Sequence, residues 1–178
     1  MTIKLNVCCG DDYREGYINI DFSDKRSDGK PIKVDLILNI LNDEFPFPLC
    51  NVDEIIFHES LEHFNRHNGL FVLKKLHSIM KSGAILDLTV PPAKKQLKMF
   101  LMQMDNVKSI EDFTQAHERF SPLKFHDDLM GGTRLSDGFD GDSHKTLYSV
   151  NMIKVLLNHV GFSILSIDEN IHVKAKKI

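Results

Sequence analysis

The chain contains no tryptophan and little cysteine: Cys8, Cys9 and Cys50 are the only thiols in 178 residues. An odd number with two adjacent members does not make a secreted disulfide framework, and metal-ligand spacing is absent. Excess positive charge is also missing. The net charge is −3, whereas a protein that grips duplex phosphates needs a concentrated basic face, so nucleic acid is not expected as a main partner. No apolar run approaches the roughly 18 residues of a membrane span, and no membrane partner is expected. The start, Met-Thr-Ile-Lys-Leu-Asn, lacks a charged region followed by an apolar signal core, which predicts a cytoplasmic protein. Internal repeats and low-complexity segments are lacking as well.

What remains is an ordinary globular composition, 42% hydrophobic and 26% charged, at a length suited to one domain spanning residues 1–178. Its organising stretch is Ile3 to Asp21. Ile3, Leu5 and Val7 open an apolar segment that runs into a small-residue turn, Cys8-Cys9-Gly10, and Tyr17 to Ile20 forms a second segment ending on Asp21. Small residues in a turn let backbone N–H groups approach a ligand, and a carboxylate at the end of the next strand can accept ribose hydroxyls. An NAD fingerprint needs three glycines and an acid about 20 residues on. Here the turn keeps one glycine and the acid follows it closely, which suits a ribose-bearing ligand without phosphates, such as S-adenosylmethionine (SAM). A βαβ turn that binds nothing would look the same on these residues alone.

Further along, Ile32 to Leu38 predicts a third strand. Asn39 to Asn51 reads as a loop because Phe45-Pro46-Phe47-Pro48 interrupts any helix or ladder. Asp53 to Phe57 reads as strand four. From Ser60 to Met80 apolar residues recur at three- and four-residue intervals, predicting amphipathic helix divided at Asn68-Gly69 and stopped at Lys81-Ser82-Gly83. Ala84 to Val90 is strand five, and Ala93 to Met104 a helix with Leu97, Phe100, Leu101 and Met104 on one side. The wider segment 93–144, with Gly131, Gly132, Gly138 and Gly141, reads as a mobile lid or acceptor-binding insertion. Ser149 is a candidate N-cap for a helix ended by Gly161, and Phe162–Ile167 with Ile171–Ala175 predicts an antiparallel hairpin. Alternating strands and helices give a Rossmann-like, doubly wound α/β fold, its mostly parallel sheet ending in that hairpin.

In this order the pieces resemble the class I SAM-dependent methyltransferases, in particular small bacterial members. Leu5 to Gly10 and Gly16 to Asp21 match their Leu-Asn-Leu-Gly-Cys-Gly and Gly-Tyr-Ile-Asn-Val-Asp. His58-Glu59-Ser60-Leu61-Glu62-His63 matches their S-H-x-L-E-H, Ser78 to Pro91 their helix exit and Val-Pro strand, and the tail from His144 their last helix and hairpin. The resemblance implies SAM as cofactor, S-adenosylhomocysteine as product, and a first helix reduced to about one turn. It implies a cofactor site of Asn6, Cys8, Gly10, Asp21, Asn39, Ile40 and His58. Asp21 would accept the ribose hydroxyls and Asn39 and Ile40 would border adenine. Departures stand at Cys8 and Glu59, where the family has glycine and histidine, and at Ser82 and Ala84. The Cβ of Cys8 is expected to face the methionine part of the ligand.

Methyl transfer needs an acceptor held in line with the donor. Where the acceptor is a hydroxyl, a base adds roughly 10²- to 10⁴-fold; His58, Glu59, His63 and His144 are in reach of that role, and His58, Glu59 and His144 are the candidate catalytic residues. Glu62 and His63 read as structural. His58 and His63 are five apart and face different sides of a helix, which excludes a zinc-protease helix, and Asp137, Asp140 and Asp142 lack calcium-loop spacing; no metal is expected. The expected acceptor is a small polar molecule, a sugar hydroxyl of surface-glycan synthesis being one form. The rival readings are a non-catalytic SAM-binding or interaction domain and, disfavoured by the missing glycines, an NAD-dependent oxidoreductase. The oligomeric state is not legible.

Overall fold

The computed structural model describes residues 2–25, 29–106 and 144–178. Seven strands form one sheet: β1 (Lys4–Val7), β2 (Ile18–Asp21), β3 (Leu36–Ile37), β4 (Val52–His58), β5 (Met80–Thr89), β6 (Phe162–Ile167) and β7 (His172–Lys177). Their order is β3-β2-β1-β4-β5-β7-β6, with β1 to β5 parallel and β7 antiparallel to both neighbours. Among the described residues three α-helices accompany them: α1 (Arg66–Ile79), α2 (Ala93–Asn106) and α3 (Val150–Val160). This is the expected Rossmann-like α/β architecture with a terminal antiparallel hairpin. The lid expected within 93–144 falls mostly on residues 107–143, outside the described residues.

Register explains the two faces of the sheet. Leu5, Ile55, Leu86 and Ala175 stand in one row and Phe57, Leu88 and Val173 in another. All are buried and join Val72, Leu73 and Leu76 of α1 and Ile153 and Leu157 of α3 in one core. The alternate rows are polar: Asn6 and Asp87 flank Ile56, with Lys174 beyond Asp87. Strands covered by helices on both faces read as continuous apolar runs, and this alternation marks a face that keeps polar contacts instead. The β1–β2 connection is shorter than the dozen residues usual for a helical crossover. It forms a turn, closed by Asp12 N–H on Cys9 O at 2.8 Å, and lies along that polar face. Asn6 Nδ2 donates to Asp12 O at 2.6 Å and to Asn19 Oδ1 at 3.0 Å, and Asn19 Oδ1 also accepts Arg14 N–H. Two buried asparagines thus satisfy backbone groups that a helix would have satisfied itself.

Several boundaries differ from the sequence expectation. The third strand shrinks from Ile32–Leu38 to Leu36–Ile37 because Ile32 N–H bonds back to Asp24 O and Asp35 N–H to Asn19 O. Helix α1 is not divided at Asn68-Gly69. The break precedes it, where the Asn65 side chain accepts Asn68 N–H and caps the helix. Gly69 lies within α1 because Tyr148 Oη and Leu61 Cδ1 stand 3.0 and 3.3 Å from where its Cβ would be. Nor does Lys81-Ser82-Gly83 separate helix from strand. α1 passes directly into β5 at Met80, and the positive φ of Gly83 lies within an irregularity that shifts the pairing from Val52–Met80 to Glu54–Ile85. The last strand is His172–Lys177 rather than Ile171–Ala175, with Ile171 in a left-handed turn conformation. Ser149 and Gly161 do bound α3: the serine side chain accepts Met152 N–H, and Gly161 takes the left-handed cap conformation. Leu97 and Leu101, expected on an apolar side of α2, are exposed.

Candidate functional site

The carboxyl ends of β1 and β2 meet in one arrangement. Cys9 N–H donates to Ile20 O, joining the turn after β1 to β2. Gly10 N–H donates to Asp21 Oδ2 at 2.9 Å, and Phe22 N–H to Asp21 Oδ1 at 2.7 Å. Asp21 is buried, yet each carboxylate oxygen has only one of these bonds and retains a lone pair for a further donor. Gly10 has φ +50°, and nothing lies within 4 Å of where its Cβ would be, so the turn is open beside the carboxylate. Leu38 N–H donates to Asp21 O and brings the segment after β3 to the same place.

The residues forecast around this turn take different positions. Asn6 is consumed by the bonds that order the β1–β2 connection. Ile40 is buried in the core, and the exposed Asn39 turns its side chain onto Leu41 N–H within its own turn. Cys8 has φ +56°, a conformation that suits glycine, which accounts physically for the glycine found there in the resembling family. Its side chain packs against the core. Burial and then the Asp21 carboxylate push the Cys8 thiol well above its ordinary range, and the same two causes push Cys9 up to about 12. Both are inert thiols rather than nucleophiles.

The expected bases His58, Glu59 and His144 separate. His58 ends β4 on the polar face, where its Nε2 lies 2.9 Å from Asp87 Oδ1; His172 Nε2 lies 2.7 Å from the same oxygen. Burial alone would raise the Asp87 carboxyl, but hydrogen bonds from the two imidazoles outweigh it and hold it low. With Nε2–H on Asp87, His58 Nδ1 is left as an acceptor, and the Arg14 guanidinium lies 3.4 Å from it. Glu59 is exposed at φ +44°, its backbone N–H bonded to Thr89.

His144 belongs to another cluster, built on the short 3₁₀ turn Leu61–His63. Lys145 and Thr146 N–H both donate to Glu62 O, fastening the returning chain to that turn. The His63 and His144 rings meet edge to face at 5.0 Å, and Gln96 Nε2 lies 2.6 Å from His144 Nδ1. Glu62 is 1% exposed and its Oε2 has no hydrogen-bond partner; burial, aided by the Glu59 charge, pushes its carboxyl up to about 8. Ser60 Oγ–H donates to His58 O at 2.6 Å, and Oγ lies 3.5 Å from Cys8 O, so this turn passes beside the one after β1. Sequence reasoning took Glu62 and His63 as structural and did not single out Asp87, His172 or Gln96. A carboxylate between Leu86 and Leu88 within a strand was the available signal for Asp87.

No protein-family model and no curated protein sequence matches the chain. Solved structures do match its backbone. A SAM-dependent methyltransferase from Archaeoglobus fulgidus superposes with a TM-score of 0.58 at 14% identity, over 94% of this chain and 65% of its own. The fold is shared with SAM-dependent methyltransferases. One from Methanosarcina mazei gives 0.58 at 15% identity over 98% of this chain and 92% of its own. A Burkholderia thailandensis 1,6-didemethyltoxoflavin-N1-methyltransferase, with 1,6-didemethyltoxoflavin and S-adenosylhomocysteine bound, gives 0.56 at 10% identity, over 98% and 70%. The chain thus spans from about two thirds to nearly all of these proteins. Among the described residues, no helix is long and apolar enough to cross a membrane.

Proposed function

We propose that the chain binds SAM across the Cys8–Gly10 turn and Asp21 and transfers its methyl group to a small polar acceptor. The observation that carries this reading is Asp21, buried at the end of β2 and hydrogen-bonded to Gly10 N–H, with lone pairs left for ribose hydroxyls beside an open turn. The cofactor supplies an electrophilic methyl on a sulfonium; the chain supplies position. The turn that follows β4 comes alongside Cys8 at Ser60, which supports assigning the Glu62, His63 and His144 cluster to the acceptor side. A hydroxyl acceptor, a sugar among them, is the class these imidazoles suit, since a base there takes the proton that methylation releases. His58 is less suited to that work because Nδ1, the nitrogen left basic once Asp87 holds Nε2–H, faces the Arg14 guanidinium 3.4 Å away. The strained cysteine in the donor turn favours the second reading, a domain that binds the adenosyl compound without turnover.

Calorimetric titration of ligand-stripped protein with S-adenosylhomocysteine tests the site. Asp21→Ala should weaken binding by about 1.5–3 kcal/mol per charge-assisted bond lost. Unchanged affinity in the folded variant removes Asp21 from the site, and binding without methyl transfer to any hydroxyl acceptor selects the second reading.

A further inference from the structure

We propose that Glu62, His63 and His144 form a binding site for a divalent transition-metal ion of the zinc type. One ligand atom from each lies within 4.8 Å of the others. Around a tetrahedral ion with bonds of about 2.0–2.1 Å, ligand atoms stand about 3.3 Å apart, a spacing these side chains reach with modest adjustment. A buried carboxylate oxygen at this place, Glu62 Oε2, lacks a partner. A buried acceptor without a donor is costly, and a cation is the ligand that satisfies a carboxylate and lone-pair nitrogens together. Gln96 supplies the outer contact such sites use. With its amide turned over, Gln96 Oε1 accepts His144 Nδ1–H, which fixes the tautomer whose lone pair is on Nε2.

The second His/Asp cluster of the described residues has the opposite character. In His58, Asp87 and His172 the polar atoms already satisfy one another, and Arg14 and Lys174 bring positive charge to them. Three protein ligands leave a coordination position open, as at catalytic rather than structural zinc. On the methyl-transfer reading, on which this use alone rests, that position would take the acceptor's oxygen, and the ion would acidify the hydroxyl in place of a base role for the ligating imidazoles.

The test needs no methyl donor. Chelator-stripped protein is titrated with Zn²⁺ by calorimetry and with Co²⁺ by visible absorption, using the wild type and the Glu62→Gln, His144→Ala and Asp87→Asn variants. The wild type and Asp87→Asn should each bind one equivalent, and Glu62→Gln and His144→Ala should lose it while keeping their affinity for S-adenosylhomocysteine. Absence of stoichiometric binding in the wild type overturns the proposal. So does retention of the ion by folded Glu62→Gln and His144→Ala, or its loss from folded Asp87→Asn, which assigns it to the other cluster. If Glu62→Gln and His144→Ala do not fold, Asp87→Asn still decides.

Discussion

Cys8 illustrates how a single backbone angle sets what a position tolerates. At φ +56° its Cβ crowds the following carbonyl, a conformation that costs roughly 1–2 kcal/mol for a residue with a side chain. Glycine removes that cost but frees the unfolded chain, so the net gain expected for Cys8→Gly is about 1 kcal/mol. In a chain of this length that raises the melting temperature by about 2–4 °C. Thermal unfolding of the purified variant measures it, and a lowered melting temperature contradicts the strain argument. At this scale the sequence revealed what is local. Gly10 and Asp21 are joined by a tight turn and could be read together. His172 reaches Asp87 from 85 positions away. That meeting depends on the antiparallel register of β7 on β5, which no short window of sequence contains.

Helix α1 and its exit into β5 depend on contacts with β6 and β7. Lys177, near the end of β7, donates its Nζ to His77 O and Met80 O, each at 2.8 Å, and so satisfies carbonyls left open at the helix C-terminus. Lys177→Met should destabilise the fold by about 1–3 kcal/mol through those carbonyls, measured by urea unfolding; no change would make the contacts incidental. His77 packs its ring edge on Phe162 at 4.9 Å, and its Nε2 has no partner. Burial, then the Lys177 charge, depresses its pKa below 6.5. The unfolded chain therefore takes up the proton first, and the stability His77 contributes is fully present above pH 6.5 and is lost as pH falls below it. His77→Phe should flatten that acid limb in unfolding free energies measured between about pH 7 and 5. An unaltered slope would show that other groups set it. Apolar periodicity revealed α1, but its limits were misread because Tyr148, not the local sequence, requires glycine at position 69.

For the whole molecule, the alternation of segments gave the sheet and its final hairpin, while the polar face was hidden. Its existence follows from the shortness of the β1–β2 connection combined with Asn6 and Asn19, whose burial only the folded sheet reveals. The central claim is that this sheet presents an adenosyl site at the ends of β1 and β2. A ligand that binds only the folded state stabilises it by about 2.7 kcal/mol at 100 times its dissociation constant. At about 2–4 °C per kcal/mol, S-adenosylhomocysteine should then raise the melting temperature of the stripped protein by about 5–11 °C. NADH should do much less, because the Cys8–Gly10 turn opens no helix whose N-terminus could hold a pyrophosphate. A shift with S-adenosylhomocysteine that Asp21→Ala abolishes is the predicted result, and a response to NADH with none to S-adenosylhomocysteine would contradict the account.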